Sequence, residues 1–148
     1  MIKNPDTAQK GLCRGFLTGG KSVKVEDAIS AANRLRPNNG FEDVDKYRWL
    51  RECDALTRAQ VIRKSRTGDF EGVGADQAGE DLGETTELLV PSPYDALYPH
   101  YLTAQIDAAL GEFDRAANEL AQYNALLTQF SVWMRQTYQP AKNTKFWY

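Results

Sequence analysis

The sequence predicts an all-α protein, a small bundle of about four helices of which the C-terminal one is the longest. Four segments repeat apolar residues every three or four positions, which is the period of an α-helix. Stretches rich in glycine and proline separate these segments, and only Thr86–Val90 has the character of a strand. The 148 residues are enough for one domain with its own core.

The chain begins with a basic, glycine-rich arm, which we place at residues 1–23. Pro5 and the pair Gly19-Gly20 are among the residues that interrupt any helical period there. Two interpretations stay open, because the arm could be disordered in the free protein or could become ordered against a partner. A helical-bundle domain is expected over residues 24–138, and an extended tail over residues 139–148.

Helix one is predicted over about residues 25–36, and the turn at residues 37–40 (PNNG) ends it. Helix two is predicted over about residues 43–64, with Asp43 as its N-cap. Asp54 follows Arg51 by three residues and precedes Arg58 by four, so we expect modest ion pairs along this helix.

Residues 65–86 are predicted to form a mobile, acidic, glycine-rich loop. Between positions 67 and 93 the chain has seven acidic residues, no basic residue and no apolar period. A segment of this kind is not expected to bury a face of its own. The acidic residues assigned to the loop are Asp69, Glu71, Asp76, Glu80, Asp81 and Glu84.

Helix three is predicted to start near Ser92, with Pro93 at its first helical position. Pro99 should kink this helix or delay its regular start, and Gly111 should end it. Helix four is predicted over about residues 112–138, a length of roughly 40 Å at 1.5 Å per residue. That length exceeds what the bundle needs, so part of its surface is expected to contact another subunit.

Ten large side chains are predicted to pack in the core or between subunits. They are Trp49, Leu50, Tyr94, Tyr98, Tyr101, Phe113, Leu120, Leu127, Phe130 and Trp133. The tail ends in three consecutive aromatic residues, which should either fold back on the domain or anchor in a partner. The residues assigned to this tail are Pro140, Lys142, Lys145, Phe146, Trp147 and Tyr148.

The sequence predicts a protein that is not an enzyme and that holds no cofactor or metal. His100 is the only histidine, and no Ser or Cys is placed to complete a triad with it, so we interpret it as a packing or surface residue. The cysteines lack metal spacing, and the acidic loop lacks the ligand order of a calcium-binding loop. GFLTGGKS at residues 15–22 fits the phosphate-loop pattern, but that pattern requires a parallel sheet that this chain is not expected to form. No apolar run reaches the ~18–20 residues of a membrane span.

From about Lys24 onward the chain resembles the head–tail adaptor proteins of long-tailed bacteriophages and prophages, also called head-completion, connector or neck proteins. The resemblance rests on blocks in a fixed order. These are VEDAI and RLRPN in helix one, KYRWLRECD in helix two, an acidic variable loop, and TTELLVPSPYDALYPHYLTAQIDAALGEFDRAANELAQYN over residues 85–124. The last block is the specific part. Residues before Lys24 depart from the family pattern, so no role carries over to the arm.

The resemblance implies a virion structural protein whose copies form a ring, expected to be a dodecamer, under the portal protein in the neck of the particle. The ring would extend the DNA channel, with no sequence-specific binding of the passing genome, and would provide a platform for the stopper or tail-completion protein. The resemblance also implies that residues 140–148 dock on the portal and that the acidic loop faces the channel or the next ring. Assembly would take place in the host cytoplasm.

The charge distribution leaves one alternative open, a small nucleic-acid-binding protein of phage assembly. Residues 1–36 carry seven basic and three acidic side chains, and this alternative would use the basic arm together with helix two. The acidic middle of the chain argues against it and favours charge-complementary contacts with neighbouring proteins. An enzyme is the least favoured interpretation, because no set of side chains in the sequence is placed to form a catalytic site.

Overall fold

The structure is a computed structural model that describes residues 21–63, 74–79 and 82–137. In these residues it has four α-helices and no strand, so the predicted small all-α bundle with the longest helix at the C-terminus is confirmed. The helices are α1 (Val25–Leu35), α2 (Asp43–Thr57), α3 (Leu97–Ala109) and α4 (Phe113–Thr137).

The start of α1 is fixed by its first turn and by the segment that leads into α3. The Asp27 carboxylate accepts a hydrogen bond from the Lys24 amide at 3.3 Å, and Glu26 and Asp27 place negative charge where the helix dipole favours it. Lys24 also forms a single antiparallel bridge with Glu87. The start of α1 and the approach to α3 are therefore held side by side.

The second helix ends differently from the prediction. Glu42 occupies the N-cap position without a side-chain capping bond, so Asp43 is the first helical residue and not the cap. Regular α-helix ends at Thr57, and a π-helical turn, Arg58–Ile62, continues the chain in the same direction. Lys64, the predicted end, lies outside the described residues.

Pro99 delays the regular start of α3 and does not kink it. A 3-10 turn, Tyr94–Ala96, precedes the helix, and Pro99 falls in the first turn of α3. Amides in a first turn have no partner within the helix, so the missing N–H of a proline costs no helical hydrogen bond there. Pro93 lies just before the 3-10 turn and is not the first residue of a regular helix.

A glycine turn connects α3 to α4. Gly111 has a φ of 79°, its amide donates to the Ala108 carbonyl at 3.1 Å, and the Glu112 amide donates to the Asp107 carbonyl at 2.8 Å. These two bonds and the left-handed residue form a Schellman motif, in which glycine is favoured because it has no Cβ. The turn reverses the chain, so α4 runs back along α3.

The core is built around α3, which contacts each of the other three helices. On α4 the fully buried side chains are Phe130 and Met134, and Tyr123 is nearly so. Phe130 packs against the rings of Tyr94 and Trp133, each with centroids 5.9 Å away, and Tyr123 packs on Tyr101 at 5.1 Å. The α3–α4 pair therefore contributes most of the aromatic core.

Eight of the ten residues predicted to pack lie in or against this core. Five are buried: Trp49, Leu50, Tyr98, Tyr101 and Phe130. Tyr94, Leu127 and Trp133 are partly buried against it. Phe113 and Leu120 are 71% and 41% exposed, because they lie roughly 60–80° around α4 from the inward line through Tyr123. In this chain they are not core residues.

The described part of the predicted acidic loop is packed, which corrects the expectation that the loop buries nothing. Ala75 begins a 3-10 turn, Ala75–Gln77, and is completely buried. Farther along, the carbonyls of Glu84 and Thr86 accept hydrogen bonds from the first two amides of α1 at 3.0 and 2.9 Å. The absence of apolar periodicity was a poor guide here, because hydrogen bonds to other elements hold this segment in place.

Candidate functional site

The two sites predicted from the sequence lie only partly within the described residues. All six tail residues, Pro140, Lys142, Lys145, Phe146, Trp147 and Tyr148, are outside them, as are Asp69, Glu71, Glu80 and Asp81 of the acidic loop. Asp76 and Glu84 are inside, and Glu84 is exposed. The arm through position 20 is also outside the described residues.

Asp54 of α2 is the polar centre of the fold. It is fully buried, and its Oδ2 accepts hydrogen bonds from the amides of Ala75 at 2.7 Å and Leu89 at 3.1 Å. Its Oδ1 accepts a hydrogen bond from the hydroxyl of Tyr98, and that hydroxyl in turn accepts a hydrogen bond from the Val90 amide at 2.7 Å. One carboxylate thus connects α2 to the 3-10 turn Ala75–Gln77, to the segment that leads into α3, and to α3 itself.

Burial is the main cause of the raised pKa values of Asp54 and Tyr98. It raises the pKa of Asp54 from 3.8 to about 6, although the hydrogen bonds from Tyr98, Ala75 and Leu89 act in the opposite direction. Burial also raises the pKa of Tyr98 well above 10, so its hydroxyl stays protonated and serves as the donor. The predicted ion pairs of Asp54 with Arg51 and Arg58 were wrong, because the carboxylate points inward. An aspartate between apolar helix positions is the sequence signal that could have indicated this.

Asp76 is held by Arg58 beside the same centre. The guanidinium bonds the Asp76 carboxylate at 2.7 and 3.2 Å, and both side chains are almost buried. Gly74 precedes this turn, and a Cβ there would lie 2.8 Å from Asp54 Oδ2 and 2.9 Å from the Leu89 Cβ. Asp76 therefore fixes the loop to α2, and its charge is neutralised within the chain.

A second polar cluster joins α1, α3 and α4. The Arg36 guanidinium donates two hydrogen bonds, of 2.9 and 2.8 Å, to the buried carboxylate of Asp107 and one of 3.4 Å to Glu119. His100 Nδ1 lies 2.6 Å from the other oxygen of Glu119. The hydrogen bond to Asp107 is the main reason that the pKa of Arg36 is raised. This cluster closes the end of the bundle where α1 meets the other two helices.

The two described side chains that most often serve in catalysis, His100 and Cys53, are paired or buried. His100 is about one-quarter exposed and pairs with a carboxylate, and Cys53 is buried with a pKa that burial raises well above 9. No group of three potential metal ligands occurs among the residues of the described ranges. Of GFLTGGKS, only Lys21 and Ser22 are described, and the bridge that follows them is antiparallel.

An open groove crosses the outer side of α2. It has a volume of about 270 Å³ and is lined by Val44, Tyr47, Arg48, Arg51 and Leu82. Arg51 donates to the Gly79 carbonyl, and Arg48 lies 3.8 Å from Asp45. Arg51 is therefore engaged within the chain, whereas Arg48 is 63% exposed and only loosely paired, so the groove keeps one solvent-exposed guanidinium.

The outward side of α4 carries a long row of exposed residues without a charge. Between Arg115 and Arg135 ten residues are exposed, and all are alanine, asparagine, glutamine, threonine, leucine or valine. Glu119 is the one charged residue in that interval, and it is mostly buried against Arg36 and His100. Phe113 adds a 71% exposed ring at the beginning of the helix.

Comparison with known proteins returned no family model, no curated protein and no solved structure that matches this chain. Among the helices of residues 21–63, 74–79 and 82–137, none combines the length and hydropathy of a membrane-spanning segment.

Proposed function

We propose that this chain is a structural subunit of a phage neck, a head–tail adaptor whose copies form a ring under the portal protein. The observation that carries the proposal is the block at residues 85–124, which resembles the most specific part of that family. In the fold this block supplies the bridge to α1, the 3-10 turn Tyr94–Ala96, α3, the glycine turn and the first half of α4. The resembling residues thus form one connected unit around which α1 and α2 are arranged.

The surface chemistry supports a role in assembly. An adaptor needs outer faces that contact other protein chains, and the outer side of α4 lacks the charged residues that are depleted at the centre of protein interfaces. The two polar clusters, around Asp54 and around Arg36, connect helices to one another and leave the outer side of α4 without charged groups. In this proposal the ring extends the DNA channel and provides the platform for the stopper or tail.

The proposal assigns portal docking to residues 140–148 on the strength of the sequence. Three aromatic side chains and two lysines within nine residues can supply the anchoring that a small interface needs. Of the acidic loop, the proposal retains Glu84 and the undescribed acids as residues that face the channel or the next ring. Asp76 is omitted because Arg58 already neutralises it.

Portal binding by the purified full chain tests the proposal. We expect the full chain to co-sediment with rings of the portal protein encoded in the same genome, and a chain ending at residue 139 to bind at least tenfold more weakly. The shortened chain should keep its melting temperature, since the four helices lie before the deletion. A full chain that does not bind portal rings would contradict the proposal, and a shortened chain that unfolds would show that the tail belongs to the core.

The nucleic-acid-binding alternative gains little support from the segment predicted as helix two, where Arg48 and Arg63 are the exposed arginines. Arg58 and Arg51 both donate hydrogen bonds within the chain, and Arg48 has Asp45 beside it. A gel-shift experiment with duplex DNA at two salt concentrations distinguishes the alternatives. Tight binding that weakens steeply with salt would favour the nucleic-acid-binding protein over the adaptor.

A further inference from the structure

The outward side of α4 differs from the exposed sides of α1 and α2. A helix that faces water usually carries charged residues on that side. The exposed side of α1 has Glu26, Asp27 and Arg34, and that of α2 has Arg48 and Glu52. Along α4 the exposed side has no charge over the nineteen positions between Arg115 and Arg135.

Two shorter helical surfaces share this property. At the end of α3 it consists of Ala108 and Ala109. On α2 and its π-helical turn it lies between the exposed Glu52 and Arg63 and consists of Ala55, Leu56, Ala59 and Gln60, with Leu56 43% exposed, so it is the longer of the two. Two surfaces without charge match each other, since neither leaves a charged group without solvent when they meet. By contrast, residues 1–20, 64–73 and 138–148 all include charged residues, so each is a poorer match.

We propose that the outward side of α4 in one copy packs against the uncharged end of α2 in a second copy of this chain. This inference rests on the proposed ring and identifies the surfaces that build it. A ring requires contact between two different surfaces of the subunit, whereas α4 packed against α4 would close a dimer. The pair of unlike surfaces, α4 and the end of α2, meets this requirement.

The size of the surface indicates how strongly the copies associate. The nineteen positions between Arg115 and Arg135 span roughly 28 Å of α4, and a strip about 10 Å wide along them has an area of roughly 280 Å². A stable interface buries about 800 Å² on each partner. Free copies should therefore associate weakly and assemble firmly once the portal holds them side by side.

Introducing one charge at the centre of each surface tests the inference. Ala121→Glu lies on the outward side of α4, Ala59→Glu lies on the end of α2, and Ser30→Glu on the charged side of α1 is the matched control. We expect sedimentation velocity of the full chain at rising concentration to show self-association. The first two variants should weaken it at least tenfold, and the control should behave as the unchanged chain. Ala121→Glu mixed with Ala59→Lys should recover association.

Each other outcome overturns the inference. If the unchanged chain stays monomeric at millimolar concentration, the proposed contact does not form. If Ala121→Glu and Ala59→Glu associate as the unchanged chain does, the contact lies elsewhere on the surface. If Ala121→Glu lowers the melting temperature of the monomer, the chain itself covers α4. If Ala59→Glu has no effect while a dimer forms, α4 pairs with itself. Rings on the portal that Ala121→Glu leaves intact would refute the surface assignment but not the proposed function, which the binding of the unchanged chain to portal rings tests separately.

Discussion

The buried carboxylate of Asp54 accepts a hydrogen bond from the hydroxyl of Tyr98, a residue 44 positions farther along the chain. The pair connects α2 to α3, and through the amides of Ala75, Leu89 and Val90 it also holds the two segments between them. A helical bundle of this size usually relies on apolar contacts between helices. Here a polar centre fixes the irregular segments that apolar periodicity cannot place.

Removing either partner of this pair should destabilise the fold strongly. Tyr98→Phe leaves the Val90 amide without its acceptor. Asp54→Asn replaces one of the two acceptor oxygens with an NH2 group, so either the Tyr98 hydroxyl or the amides of Ala75 and Leu89 lose their acceptor. We expect each to lower the free energy of unfolding by about 2 kcal/mol, since a buried unsatisfied group costs about 1–3 kcal/mol. Urea unfolding of both single variants and the double variant measures their coupling. Costs that simply add would contradict a direct interaction.

Asp54 should also make stability depend on pH. Its pKa is about 6 in the folded protein and about 3.8 when exposed, so between these values the folded state binds more protons than the unfolded state. The free energy of unfolding contributed by Asp54 therefore falls as pH rises from about 4 to 6. We expect the cost of Asp54→Asn to be about 1 kcal/mol larger at pH 5 than at pH 7. A cost that is equal or smaller at pH 5 would show that burial does not control this carboxyl.

Truncation of two large apolar residues on α4 should lower the free energy of unfolding by very different amounts. Phe130 is fully buried, so Phe130→Ala should cost about 3–5 kcal/mol. Leu120 is 41% exposed, so Leu120→Ala should cost less than about 1 kcal/mol in the monomer. Thermal unfolding followed by circular dichroism compares them directly. Equal costs would mean that the helix is rotated relative to the structure.

Gly74 should be required for space and not for its backbone angle. Gly74→Ala places a Cβ within 3 Å of Asp54 and Leu89, so the turn must shift away from α2. Gly79→Ala is the matched variant, because Gly79 has a φ of 62° but open space around it. We expect both to lose stability, by about 1 kcal/mol for Gly79→Ala. Only Gly74→Ala should speed hydrogen exchange at the amides of Ala75 and Leu89. Unchanged exchange at these two amides would show that the space at Gly74 is not needed for their hydrogen bonds to Asp54.

The sequence predicts the regular elements well because helix periods and glycine or proline stops are local. The ends of α1 and α4 differ from the prediction by one residue, and Gly111 ends α3 through a motif that its position already indicated. The polar centre could not be predicted, since Asp54 meets Tyr98 and Ala75 only after the chain folds. The same reason explains the loop, in which Ala75 is buried by contacts from other elements.

The predicted functional surfaces were accessible to sequence reasoning only in part. The expectation that α4 presents a side to another subunit came from its length alone, and the exposed positions follow from its packing on α3. Phe113 and Leu120 fit a helical period as well as Phe130 does, so spacing could not separate the inward side from the outward side. Which side of a long helix is covered depends on the neighbouring elements.

The most direct test of the adaptor proposal is electron microscopy of phage particles made with and without this chain. With it, we expect complete particles in which a ring of copies lies between the portal and the tail. Without it, we expect DNA-filled heads and separate tails that do not join. Normal tailed particles made without the chain, or its absence from the neck of purified particles, would contradict the account.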